Sequence, residues 1–122
     1  MRLKIALFLV ILFSLSVAAF ATKKPLTEKE KIEALIKSVE NLKDVKFYRN
    51  GSYHSAKDAA EHLRMKWEKA GSKVKTAKDF IYKLATKSSI TGEAYKIVYA
   101  NGKEITASKF FYGELNKLNS EP

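Results

Sequence analysis

Apolar residues recur at helical spacing in four stretches of the chain and alternate with polar ones in two others. Ile32, Leu35, Ile36, Val39 and Leu42 form one narrow stripe, opposite lysines and glutamates that include Glu33 and Lys37 four apart. That spacing predicts an amphipathic outer helix packed on the protein's own core. Thr27-Glu28-Lys29-Glu30 just ahead of it is a capping box, whose hydroxyl and carboxylate satisfy free amides of the first turn. Ser55-Ala56-Lys57-Asp58 is a second box. The helix behind it aligns Ala56, Ala59, Ala60, Leu63, Trp67 and Ala70 and ends at Gly71 as a left-handed stop. Its alanines admit close approach of a sheet or helix, and Trp67 supplies bulk. Thr76-Ala77-Lys78-Asp79 is a third box, followed by Phe80, Ile81, Leu84 and Ala85. Ser108 begins a last helix carrying Phe111, Leu115 and Leu118, which Gly113 weakens by ~1 kcal/mol relative to alanine.

Between these helices lie two hairpins. In VKFYRNGSYH, Val45 to His54, the pair Asn50-Gly51 suits a type I′ turn, where both central residues need positive φ. Closing there pairs Arg49 with Ser52, Tyr48 with Tyr53 and Phe47 with His54. One pleat face then carries Val45, Phe47 and His54, and the other Tyr48 and Tyr53. Ser88 to Ala94 is a polar connection, and YKIVYANGKEIT, Tyr95 to Thr106, is a second hairpin centred on Asn101-Gly102. A shift of 51 residues lays Asn50-Gly51 on Asn101-Gly102, Tyr48 on Tyr99 and Ser55-Ala56 on Thr106-Ala107. The expectation is an α+β fold: the two hairpins join into one small antiparallel sheet, packed with about four helices mainly on one face.

The start of the chain has a different character. Arg2 and Lys4 precede an apolar run from Ile5 to Val17, and small residues lead to Ala19-Phe20-Ala21. This is the pattern of an export signal cut between Ala21 and Thr22. The apolar run is shorter than the ~20 residues a membrane-crossing helix needs. The expected layout is a cleavable signal at 1–21, a polar arm at 22–27, one α+β domain at 28–118 and a tail at 119–122. A periplasmic or secreted bacterial location follows, with membrane contact only through the signal before cleavage.

The 122 residues carry 23 lysines and arginines against 13 aspartates and glutamates, a net charge of +10. Without Arg2 and Lys4 the balance is 21 to 13, or +8, and lysine outnumbers arginine 19 to 2. The chain has no cysteine, which excludes disulfides, thiolate metal sites and a cysteine nucleophile, and suits an oxidising compartment. No glycine-rich phosphate loop, calcium loop or serine-nucleophile motif is present. No cofactor is implied.

Chemistry has few candidates. On the second helix Asp58 and His62 are four apart and meet on one flank, with His54 just before the cap. Two imidazoles and a carboxylate can hold zinc, or His62 can serve as a base oriented by Asp58. Against this, Lys66 and Lys69 flank His62 and repel a cation. Ser88-Ser89 reads as a loop-capping pair. Lys57 and Arg64 lie on one flank of the second helix, Lys66, Lys69 and His62 on the other, and Lys73, Lys75 and Lys78 follow. Such a cluster attracts anions without direction, and its shortage of arginine argues against specific nucleic-acid recognition. Met65 lies nearly opposite Leu63, so that side of the helix is either covered by a second layer or offers an apolar spot to a partner.

Arg49-Asn50-Gly51 followed by Ser55-Ala56-Lys57-Asp58-Ala59-Ala60-Glu61-His62-Leu63-Arg64 resembles the YfeK-like family of small exported bacterial proteins, a domain of unknown function. The similarity continues through Ala70-Gly71-Ser72, Thr76-Ala77-Lys78-Asp79-Phe80-Ile81, Lys87-Ser88-Ser89, Gly92 and Tyr95. It spans Ile32 to about Leu118, with Ala94 in place of an expected proline and a looser match in the last helix. The resemblance implies a periplasmic or secreted single α+β domain and supplies no activity. It draws attention to Arg49, His62, Arg64, Lys87, Ser88 and Ser89.

The expectation is a non-catalytic binding or accessory protein. Its surface would be Arg49, His62, Arg64, Lys66, Lys69, Lys87, Ser88 and Ser89, and its partner an anionic ligand or a protein of the cell envelope. The alternative is a small hydrolase or metal-dependent enzyme using His54, Asp58 and His62.

Overall fold

The computed structural model of the protein describes residues 24–120. The expected export signal and its cleavage point, Ala19 to Thr22, lie outside the described residues. Among the described residues no helix is long and apolar enough to cross a membrane.

Helix α1 (Glu28–Glu40) starts at the expected capping box: Thr27 accepts from the Glu30 amide and Glu30 from the Thr27 amide. Its stripe packs on the core as expected. Ile32, Leu35, Ile36 and Val39 are all buried. Strands β1 (Val45–Arg49) and β2 (Ser52–His54) form the first hairpin in the expected register, with Asn50 and Gly51 both at positive φ. Helix α2 (Ala56–Ala70) follows, and Ser55 accepts from the Asp58 amide. The reciprocal half of that box does not form. At the far end Gly71 has φ 54 but ψ −128, so it opens a single turn of 3-10 helix, Gly71–Lys73, rather than a left-handed stop.

Helix α3 (Ala77–Phe80) has its full capping box from Thr76 and Asp79, then widens into a π-helical turn, Ile81–Ala85. The Thr86 hydroxyl donates to the Ile81 carbonyl at 2.7 Å, an i to i−5 link that supports the wider turn. The Glu28 carboxylate of α1 reaches across to accept from the Ala77 amide at 2.9 Å. That bond, with Lys31 beside it, holds the Glu28 carboxyl below its ordinary pKa.

Strands β3 (Lys96–Tyr99) and β4 (Glu104–Thr106) form the second hairpin, and α4 (Ala107–Ser120) closes the fold. The α4 cap is the Thr106 hydroxyl, which accepts from the Lys109 amide, and the helix begins at Ala107, one residue before the expected Ser108. The helix also runs two residues beyond the expected domain limit at Leu118.

The two hairpins do share one antiparallel sheet, in the order β2-β1-β3-β4. Phe47 pairs with Ile97 across the central strands, both are buried, and α2 packs against β1. The turns differ, however. In the second hairpin the Gly102 amide donates to the Tyr99 carbonyl and the Tyr99 amide to the Lys103 carbonyl, both at 2.9 Å. Ile97 pairs with Ile105, so the loop is three residues, Ala100-Asn101-Gly102, with only the glycine at positive φ. Asn101 accepts from the Lys103 amide and so stabilises this longer form.

One extra residue corrects the expected match of Tyr48 with Tyr99. Pleat direction reverses with each residue, so a one-residue offset exchanges the faces. Tyr48 lies on the outer face with Tyr53 and Lys96, whereas Tyr99 packs against the core. The true counterparts are Phe47 and Ile97, 50 apart, before the turns, and His54 and Ile105, 51 apart, after them.

Below the sheet, α1 packs against α2, α3 and α4, and the π turn packs against α2 and α4. Trp67, Phe80 and Phe111 make a chain of edge-to-face contacts, with ring centroids 6.3 and 6.2 Å apart.

Candidate functional site

An open groove of about 470 Å³ runs along α2. His62, Met65, Lys66, Lys69 and Ala70 supply one wall, Lys73 its end, Ser88, Ser89 and Ile90 the opposite wall, and Leu84 and Tyr95 the floor, with Asn50 at the far end. Residues three and four apart share a helix face, which explains why 62, 65, 66, 69 and 70 line it together.

The far wall exists because the connection expected to be simply polar is a small, tightly bonded loop. Lys87 pairs with Ala94, and the Ser88 amide donates to the Glu93 carbonyl. Ser88 is only 3% exposed, and its Oγ accepts from the Ile90 and Thr91 amides at 3.1 and 3.2 Å. It holds the loop from inside. The Thr91 hydroxyl donates to Asn50 Oδ1 at 2.8 Å, pinning the loop tip to the first hairpin's turn. Nearby, desolvation and the Glu93 carboxylate raise the Tyr48 phenol above its ordinary pKa.

Lys66 is not a freely solvated cation. Its ammonium donates to the Leu84 carbonyl at 2.7 Å and to the Tyr95 hydroxyl at 3.1 Å, bonding α2 to the end of the π turn and to the start of the second hairpin. His62 packs edge-on to Tyr95 with centroids 6.4 Å apart. His62 also borders an inner crevice of about 30 Å³, lined by Phe47, Arg49, His54 and Leu63 among others. Burial, then the positive charge of Arg49, Lys66, His54 and Lys69, pushes the His62 pKa down to about 4. The ring is therefore neutral at pH 7.

Of the residues expected from sequence, His62, Lys66, Lys69, Ser88 and Ser89 come together here. Arg49 and His54 stand just behind, in the crevice. Arg64 does not join them: it pairs with Glu40 at 3.2 Å and Glu33 at 4.0 Å on α1. Lys87 is exposed but outside the lining. Among the described residues no three histidine, aspartate or glutamate side chains are placed to hold a metal ion together. Asp58 sits exposed in the first turn of α2, and His62 faces cations instead of a carboxylate. Among the described residues no second layer covers Met65. It is 46% exposed in the groove, beside Ile90, which is 88% exposed. The sequence reading missed Asn50, Leu84, Ile90 and Tyr95 as lining residues. A lone isoleucine in the otherwise polar Ser88-Ser89-Ile90-Thr91-Gly92 was the available signal.

The His62 shift has a measurable consequence. Between pH 6.5 and about 4 the unfolded chain gains a proton at this histidine and the folded chain does not. Stability therefore falls as pH drops through that window and levels off below it. Discounted for partial exposure and screening, the loss is about 1–2 kcal/mol. Urea unfolding at pH 7 and pH 4 of the protein and of His62→Gln isolates it: the variant should lose correspondingly less, and equal losses would refute the assignment.

A four-stranded sheet backed by helices on one face, with a lysine-lined groove along α2, defines a small α+β domain with a concave, cationic recess. Residues 26–119 match the family of unknown function DUF5329, and the chain belongs to that family. It is also 40% identical over 68 residues to the uncharacterized protein YfeK of Salmonella typhimurium, across 56% of this chain and 57% of the relative. The match thus spans a little over half the length of that curated relative. No solved structure matches the chain.

Proposed function

We propose that the protein is an exported, non-catalytic binding or accessory protein that holds an anionic ligand or partner in the groove along α2. The observation that carries this reading is the composition of the groove: among the described residues Lys66, Lys69 and Lys73 line it and no aspartate or glutamate does. Low-dielectric walls beside such a cluster concentrate positive potential where an anion would sit. The apolar run from Ile5 to Val17 and Ala19-Phe20-Ala21 support export to the periplasm or medium.

Photocrosslinking in living cells tests the reading. A photoreactive residue at position 89 should form adducts that one at position 57, outside the groove, does not. The double variant Lys69→Glu with Lys73→Glu should lose most of them. Adducts of equal yield from both positions, or indifferent to the charge reversal, would remove the groove from consideration. Fractionation tests location: processed protein in the periplasm or medium is expected, and full-length protein in the cytosol would overturn export.

A further inference from the structure

The groove is not uniformly polar: Met65, Ala70, Leu84, Ile90 and the Tyr95 ring line it beside the lysines, with the Lys66 ammonium 5.0 Å over that ring. Lys69 lies in the last turn of α2 and Lys73 at the end of the 3-10 turn that follows it, and among the described residues neither has an acidic partner. Lys66 is already bonded to Leu84 and Tyr95. From Lys69 back to His62 the helix rises about 10 Å, and that stretch presents Met65, Ile90, the Tyr95 ring and the uncharged His62 ring. Its capacity of about 470 Å³ falls within the range of small-molecule sites. The other strongly exposed large apolar side chains, Leu26, Tyr53, Tyr82 and Tyr112, are not among its lining.

Resting on the anion-binding reading above, we propose that the groove takes a single-chain acyl anion, a free fatty acid, with its head group between Lys69 and Lys73 and its chain along Met65 and Ile90. The ammonium groups match a carboxylate by charge without demanding fork geometry. Met65 suits a chain of no fixed conformation, because its flexible thioether repacks easily. Ser88 supports the arrangement indirectly, since the loop it braces carries Ile90.

Calorimetric titration with decanoate, kept below its aggregation concentration, tests this against acetate, decanol, vesicles of anionic phospholipid and a short peptide of glutamate and leucine. Decanoate should bind at least tenfold more tightly than acetate and than decanol. Lys69→Glu with Lys73→Glu should raise its Kd at least tenfold, as should Met65→Ser with Ile90→Ser, both variants keeping the native circular dichroism spectrum. Decanoate no tighter than acetate would overturn the acyl assignment, while adducts from position 89 would still support anion binding. Tight binding of the peptide or the vesicles without decanoate binding would equally overturn it, and would assign the groove to a protein or to a membrane.

Discussion

Replacing Phe80 by alanine should cost about 3–5 kcal/mol, the largest loss expected from any single side chain here. Phe80 is fully buried and stands between Trp67 of α2 and Phe111 of α4, touching each ring edge-on. Its removal leaves a hole where three elements meet, and the aromatic contacts it makes add to the lost transfer energy. A domain of this size has only about 5–15 kcal/mol in hand, so the variant should be partly unfolded at moderate temperature. Phe80→Leu keeps most of the volume and should lose less than half as much. Urea unfolding monitored through Trp67 checks both. Equal, small losses would mean the core closes around the gap.

The second large effect is expected at Ser88. Alanine there removes the oxygen that accepts from the Ile90 and Thr91 amides and leaves both without that partner. A cost of about 1–3 kcal/mol follows, concentrated in the loop rather than spread through the core. Amide exchange at residues 88–93 should accelerate far more than exchange in α1, and Ser88→Thr, which restores the oxygen, should recover much of the protection. Uniform acceleration would show the loop to be no separate unit. Because that loop is one wall of the groove, the same substitution should weaken whatever binds there.

Most of the fold was legible because it rests on local rules that agree with one another. The Thr27 and Thr76 boxes, the α1 and α2 stripes and the first hairpin's register each follow from short-range spacing. The join between hairpins was also accessible, since two short ribbons cannot each bury a face alone. What misled was the repeated Asn-Gly. The same dipeptide makes a two-residue turn at Asn50-Gly51 and the end of a three-residue turn at Asn101-Gly102, and the choice depends on which side of β3 must face the core.

The groove was legible only in half. His62, Lys66 and Lys69 share a helix face by periodicity, so their convergence was predictable. Their partners arrive from residues 84–95, and no local pattern says that a loop will fold back over a helix nearly thirty residues earlier. Arg64 shows the same limit from the other side. Its charge resembles that of its neighbours in sequence, but Glu33 and Glu40 on α1 take it out of the site.

The sheet's two rims, β2 and β4, are three residues each. An extended stranger aligning with either one finds too little open backbone to template growth, which protects a chain of this composition from seeding fibres when crowded. A companion chain pairing with either rim would meet no more than three residues of strand.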